Sequence, residues 1–279
     1  MEAVAQPTHP NRPGKKAYIY VGIFAVALVV LPFQFWYQTW FGRDLKDAEM
    51  ESYLSNASKP RQAQQALVKI SDRLTRGDTS VRRWYPRIAA LTASPAAEVR
   101  QTAAWVMGHD RSHEAFREPL RNLLRDENPV VRRNAALALA NFRDASARPE
   151  LRGMLRPHTL PSPAAGVVRY RLKLGEYMNN GTLVARVGDV EVRSPLPGEV
   201  RVLLRDDGST VAAGEPLIEV SPDKEHAWEA LRALLIVGEP EDTEDVQRFV
   251  RAAPGMPERL QRQAILTLEE IRTRAAGKK

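Results

Sequence analysis

The chain has no cysteine among its 279 residues, which removes disulfides, thiolate nucleophiles and cysteine-ligated zinc together. Histidine is sparse as well: His9, His109, His113, His158 and His226 are scattered along the sequence. His109 and His113 have the i, i+4 spacing that could hold a metal on one continuous helix, but Gly108 and Asp110 read as a turn that breaks it. There is no Gly-rich phosphate loop, no Gly-x-Ser-x-Gly elbow and no paired-carboxylate motif. Asp206-Asp207-Gly208 lacks the later oxygen ligands of a calcium loop and reads as a hairpin turn. We therefore expect no catalytic residue, no metal and no cofactor, and a protein that is not an enzyme.

What is present begins with charge. Forty-one Lys and Arg against 34 Asp and Glu give a formal charge of +7. The acids are interleaved with the bases almost throughout, so the surface reads as solvated helix rather than as a nucleic-acid footprint. From Ala17 to Trp36 the chain carries no charge, and twenty helical residues rise about 30 Å, the thickness of a bilayer core. Tyr18 and Tyr20 on one side, and Trp36, Tyr37 and Trp40 on the other, resemble an aromatic belt at the membrane interface. Arg12, Lys15 and Lys16 precede this segment. The expectation is a single-pass anchor over 17–41 in the lipid bilayer of a bacterial inner membrane, with a cytoplasmic tail over 1–16 and the bulk of the chain periplasmic. A cleaved signal peptide fits less well, because bulky aromatics stand where small residues should mark cleavage.

After this segment the periodicity is helical. Gln62 to Arg76 carries Ala66, Leu67, Ile70 and Leu74 on one stripe and stops at Gly77. Helices are also expected over 80–93, 114–125, 225–237 and 244–252. Glu98-Val99-Arg100-Gln101-Thr102-Ala103-Ala104-Trp105-Val106-Met107 recurs as Val130-Val131-Arg132-Arg133-Asn134-Ala135-Ala136-Leu137-Ala138-Leu139, and again in part over Leu260–Leu268. Pro129 suits a first helical turn, and small residues at 135 and 136 let neighbouring helices approach. The run from Leu123 through Asn128-Pro129 to Leu139 resembles HEAT repeats in the short form of the phycobilisome-lyase-like family. The resemblance implies an α-solenoid that presents surfaces rather than chemistry. Arg82, Arg83, Arg87, Arg100, Arg132 and Arg133, on repeated helix starts, could form a basic ridge for an acidic partner.

Between 161 and 222 the pattern changes to short strands cut by Gly and Pro. Ser162-Pro163-Ala164-Ala165-Gly166-Val167-Val168 is echoed thirty-two positions later by Ser194-Pro195-Leu196-Pro197-Gly198-Glu199-Val200. Each copy continues to a spaced glycine pair, Gly175 and Gly181 in the first, Gly208 and Gly214 in the second. Strands are expected over 167–174, 182–186, 190–193, 199–204 and 216–220, with the glycines, Gly188 included, at turns. This pattern resembles the biotinyl/lipoyl-type barrel-sandwich hybrid, also found in membrane fusion (HlyD-like) proteins. The resemblance implies a carrier lysine on the central hairpin, but Ala185 to Arg193 contains none, so a swinging arm is not expected. It also implies, for adaptor proteins, a long helical hairpin where Gly188-Asp189 here makes a tight turn.

The sequence thus reads as multi-domain α and β: an N-terminal transmembrane helix, HEAT-like repeats over 42–157, a β module over 158–222 and further HEAT-like helices over 223–275. Its expected role is a membrane-anchored, non-catalytic scaffold or accessory subunit of a membrane complex in transport or respiration, with protein partners, no nucleic acid, and room for homo-oligomers. The alternative is a periplasmic adaptor of an export system.

Overall fold

A computed structural model describes residues 15–39, 44–56, 58–251 and 255–277, those at 15–19 and 34–39 as backbone only. The chain divides into two compact units, Met1–Asp47 and Ala48–Lys279.

In the first unit, helix α1 spans Lys15–Thr39. Among the described residues no helix is long and apolar enough to cross a membrane. This corrects the expected transmembrane helix, and with it the inner-membrane placement with a periplasmic bulk. The described side chains of α1 are those of residues 20–33. Tyr20 is exposed there. The side chains of Tyr18, Trp36 and Tyr37, all of Trp40, and residues 1–14 of the expected tail over 1–16 lie outside the described residues.

The second unit is helical with a small antiparallel sheet region. Its helices are α2 (Asp47–Ser55), α3 (Pro60–Thr75), α4 (Tyr85–Ala90), α5 (Ala97–Met107), α6 (Arg117–Leu123), α7 (Pro129–Asn141), α8 (Arg148–Met154), α9 (Lys224–Val237), α10 (Thr243–Gln247) and α11 (Glu258–Gly277). They form two layers. In the inner layer α3 packs on α5, α5 on α7, α7 on α9 and α9 on α11. The shorter α4, α6, α8 and α10 back this row from outside, each led in by a 3₁₀ turn. Local chemistry explains the boundaries of α7: Pro129 takes the first turn, and the Asn128 side chain accepts the Val130 N–H at 2.9 Å. The helix buries Val131, Ala135, Ala136, Ala138, Leu139 and Ala140. Small residues bring the rows close. A Cβ at Gly108 would sit 3.0 Å from the Ala138 Cβ, so glycine lets the end of α5 lie tightly against α7. The single helix expected over 80–93 is instead a 3₁₀ turn (Thr79–Trp84), α4 and a second 3₁₀ turn (Leu91–Ala93), because Pro86 starts a new helix and its predecessor cannot continue the old one.

Eight strands lie between α8 and α9: β1 (His158–Pro161), β2 (Gly166–Tyr170), β3 (Tyr177–Met178), β4 (Leu183–Val187), β5 (Val190–Arg193), β6 (Gly198–Leu203), β7 (Thr210–Val211) and β8 (Pro216–Pro222). They make two four-stranded antiparallel sheets, ordered β1-β8-β6-β3 and β5-β4-β2-β7. One apolar core, including Leu160, Val168, Val184, Val187, Val200, Ile218 and Val220, is shared by both sheets. The sequence echo corresponds to reciprocal pairing between the halves. Ser162 donates its N–H to Glu215 and accepts from the Gly214 N–H, whereas Ser194 donates to Thr182 and accepts from the Gly181 N–H. Likewise Gly208 N–H binds the Val168 carbonyl and Gly175 N–H the Val200 carbonyl. Both buried serine hydroxyls donate to the carbonyl two residues on, Ala164 and Leu196. Each half therefore supplies the other's missing edge, which is why the same Ser-Pro and Gly signals occur twice.

Candidate functional site

The inner helix row is held in place by aspartates at the turns. Asp78, Asp110 and Asp144 each accept the backbone N–H two residues on, from Ser80, Ser112 and Ser146. Asp110 and Asp144 also accept from an arginine of the preceding repeat, Arg82 at 3.1 Å and Arg121 at 2.8 Å. Burial pushes the Asp144 carboxyl up, but the Ser146 and Arg121 hydrogen bonds outweigh it and hold the group below its ordinary range. The ladder continues across the β strands: Arg148 of α8 donates to the fully buried Asp242 at 2.7 Å, and Arg156 makes two 2.7 Å bonds to Asp245. α8 also packs directly on α9. The helical row thus closes over the point where the β module leaves it.

These staples account for most of the candidate basic ridge. Arg100 is buried and forks onto Asp126 at 2.7 and 2.8 Å. Arg82 is held by Asp110 and Ser112. Arg132 donates to Glu150 and to the Asp126 and Glu127 carbonyls. Arg83 lies over the Trp84 ring at 4.2 Å, and Arg87 pairs with Glu51 at 2.9 Å. Five of the six are thus engaged by neighbouring side chains or backbone of this chain.

Arg133 is the exception. Its side chain is only 7% exposed, yet it forms no hydrogen bond and no ion pair among the described residues, and its Nε is buried without a partner. Burial, opposed by the more distant charges of Glu150 and Asp223, depresses its pKa. Those carboxylates are committed elsewhere: Glu150 takes Arg132, and Asp223 takes the Tyr177 hydroxyl at 2.8 Å and caps α9 through the His226 N–H. His158, at the start of β1, also has both ring nitrogens buried and unpartnered. Burial first, and the Arg133 charge second, push its pKa down to about 4, so the imidazole is neutral near pH 7.

Arg133 lines a cleft of about 820 Å³ that is walled on both sides. One wall is the exposed stripe of the inner helices: Gln101 and Trp105 of α5, Arg133, Asn134, Leu137 and Asn141 of α7, and His226, Arg232 and Ile236 of α9. Positions 130, 133, 134, 137, 138 and 141 fall on one face of α7, the 3.6-residue period placing them in line. The other wall is two turns of the β module, Asn179-Asn180 and Leu196-Pro197. Trp105 is 43% exposed, with its ring edge-on to His109. Arg232 lies over the Trp228 ring at 4.7 Å. The lining is basic, with Glu229 its sole carboxylate among the described residues.

The turn glycines are placed as follows. Gly166, Gly175, Gly181, Gly188, Gly208 and Gly214 have positive φ, while Gly198 is required by packing, since its Cβ would lie 2.5 Å from the Ser221 carbonyl oxygen. Gly188-Asp189 is the two-residue turn joining β4 to β5, with Val187 paired to Val190. No lysine and no helical insertion stand on that hairpin. His109 and His113 occupy different environments: the first bonds the Trp105 carbonyl through Nδ1, and the second meets the Tyr85 and Phe116 rings edge-on. Among the described residues no group of three or more His, Asp or Glu could hold a metal. The α7 stripe could have been read from sequence as an unusually polar helix face, but the cleft's second wall carried no signal.

Residues 86–160 match HEAT repeats. The two-layer helical row agrees with this match: the stretch is built of HEAT repeats, an array that generally presents surfaces to protein partners. The chain is also 37% identical over 79 residues to the uncharacterised protein YqeB of Escherichia coli (strain K12). That stretch covers 27% of this chain and 14% of the other, so the similarity spans about a seventh of that relative.

Proposed function

We propose that the chain is a non-catalytic scaffold whose helical array and β module grip one protein partner together, in the cleft between them. The observation that carries this reading is the composition of the cleft: three successive inner helices form one wall and two β turns form the other. A binding site shared by two elements explains why the β module is placed within the helical row rather than trailing from it. In this reading the divisions at 42–157, 158–222 and 223–275 are one functional body. The β module serves as a lysine-free relative of the biotinyl/lipoyl type, contributing shape rather than a carried group.

The wall variants Leu137→Glu on α7 and Asn180→Glu on the β turn test it. Both are checked for folding by circular dichroism and used with the full chain in affinity capture. Partners recovered with the wild type and lost with both variants support a shared cleft. Partners retained by both would refute it.

A further inference from the structure

We propose that Arg133 is the anchor for a carboxylate of an acidic, extended segment of a protein partner, a proposal that rests on the cleft being the partner site. A buried guanidinium without a hydrogen bond or ion pair is destabilising in the free chain. Every neighbouring inner-row arginine of the sequence pattern has found an aspartate or glutamate, and both carboxylates felt by Arg133 are already satisfied. The fold therefore leaves this buried cation open toward the cleft, beside the exposed Arg232 that lies over the Trp228 ring. An entering carboxylate would satisfy it with charge-assisted hydrogen bonds in a site of low solvent access.

The rest of the cleft favours a protein segment as the source of that carboxylate. Trp105, Leu137 and Ile236 supply apolar surface for flanking side chains. Asn134 and Asn141, two turns apart on α7, line the cleft together with Asn179 and Asn180; the two α7 amides donate to the Val130 and Gly108 carbonyls at 3.0 and 3.2 Å and keep their oxygens and a second N–H for a ligand. Side-chain amides carry both donors and an acceptor, the complement of an extended backbone. The chain's own excess of +7 favours an acidic partner over a basic one. A phosphate would need more than the single desolvated guanidinium that the cleft offers.

The test uses the full chain and a displayed library of nonapeptides, with selected sequences remade as soluble peptides and measured by fluorescence polarisation. The selected peptides are expected to share an Asp or Glu. Its replacement by Asn or Gln should weaken binding to the wild type by at least about tenfold. The same replacement should change nothing on Arg133→Met. Because the substitution removes an unpaired buried charge, the variant should also melt about 2 °C or more above the wild type. If Arg133→Met does not fold, Arg133→Gln gives the same binding readout. Peptides that bind, are lost in Asn180→Glu, yet share no acid would overturn the carboxylate anchor while leaving the shared cleft standing. Preference for the acid retained on Arg133→Met would overturn it as well. Inorganic phosphate that stabilises the wild type but not Arg133→Met, with no peptide selected, would show a small-anion site and sink both readings.

Discussion

Asp242 offers the sharpest test of how the helical row holds together. Its carboxylate is fully buried, accepts from Arg148 Nε at 2.7 Å, lies 3.4 Å from Arg152 Nε and takes the Glu239 backbone N–H at 2.8 Å. The Arg152 contact is an ion-pair distance without hydrogen-bond geometry, so Arg148 carries the bond. Asp242→Asn preserves shape and the backbone cap but removes the charge. Breaking one side of a buried pair costs about 3–5 kcal/mol. Arg148 retains some solvent and a second partner, Glu241 at 2.7 Å, which lowers the expectation to about 2–3 kcal/mol. For a unit of this size that is a Tm lower by roughly 5–10 °C. The assay is urea and thermal unfolding followed by circular dichroism, with Arg148→Met and the double variant completing a cycle. The double variant should be about 1–2 kcal/mol less damaged than the sum of the singles. An Asp242→Asn effect below about 0.5 kcal/mol, or strict additivity, would refute the view that this staple ties the helices on either side of the β module.

Three further outcomes follow from the geometry. Gly198→Ala should destabilise the chain by about 2–3 kcal/mol, because the new Cβ meets the Ser221 backbone, whereas Gly153→Ala, with nothing within 4 Å, should be neutral or slightly stabilising in urea titrations. His158 resists protonation in the folded chain, so between pH 6.5 and about 4 the unfolded chain binds a proton that the folded one refuses. Stability is complete above pH 6.5 and declines as pH falls toward 4; His158→Phe should lessen that decline by at most about 2 kcal/mol, and identical pH profiles for variant and wild type would contradict it. Asp126→Asn should cost about 2–4 kcal/mol by stranding the buried Arg100, and a change under 0.5 kcal/mol in denaturant midpoint would show the fork to be idle.

Much of the helical row was legible because its signals are local. Apolar spacing, Asn128-Pro129 and the recurrence of 98–107 at 130–139 are all properties of a dozen neighbouring residues. The β duplication was legible for a related reason: identical turns in the two halves demand identical residues. Strands β3 and β7 were not, since two residues each cannot show alternation, and their pairing comes entirely from β6 and β2. The expected strand over 167–174 stops at Tyr170, where Arg171 and Leu172 both turn their N–H groups to the Val184 carbonyl and leave the regular ladder. The uncharged run at the N-terminus forms a helix, but among the described residues no helix is long and apolar enough to cross a membrane.

The arginines mark the boundary between the two kinds of knowledge. Sequence alone determined that the chain would build repeated helices, interrupt them with a doubled β unit and place arginine at recurrent helix starts, because propensity, capping and periodicity act over a few residues. It could not determine which arginine would be left over. Arg148 finds its carboxylate 94 positions away, and Arg100 finds its own 26 away. Pairing of charges is a matter of distance in space, fixed only when the inner helices stack and the β turns close over them. The tertiary structure alone selected Arg133 from six similar residues and opened it to a cleft whose two walls lie far apart in the chain.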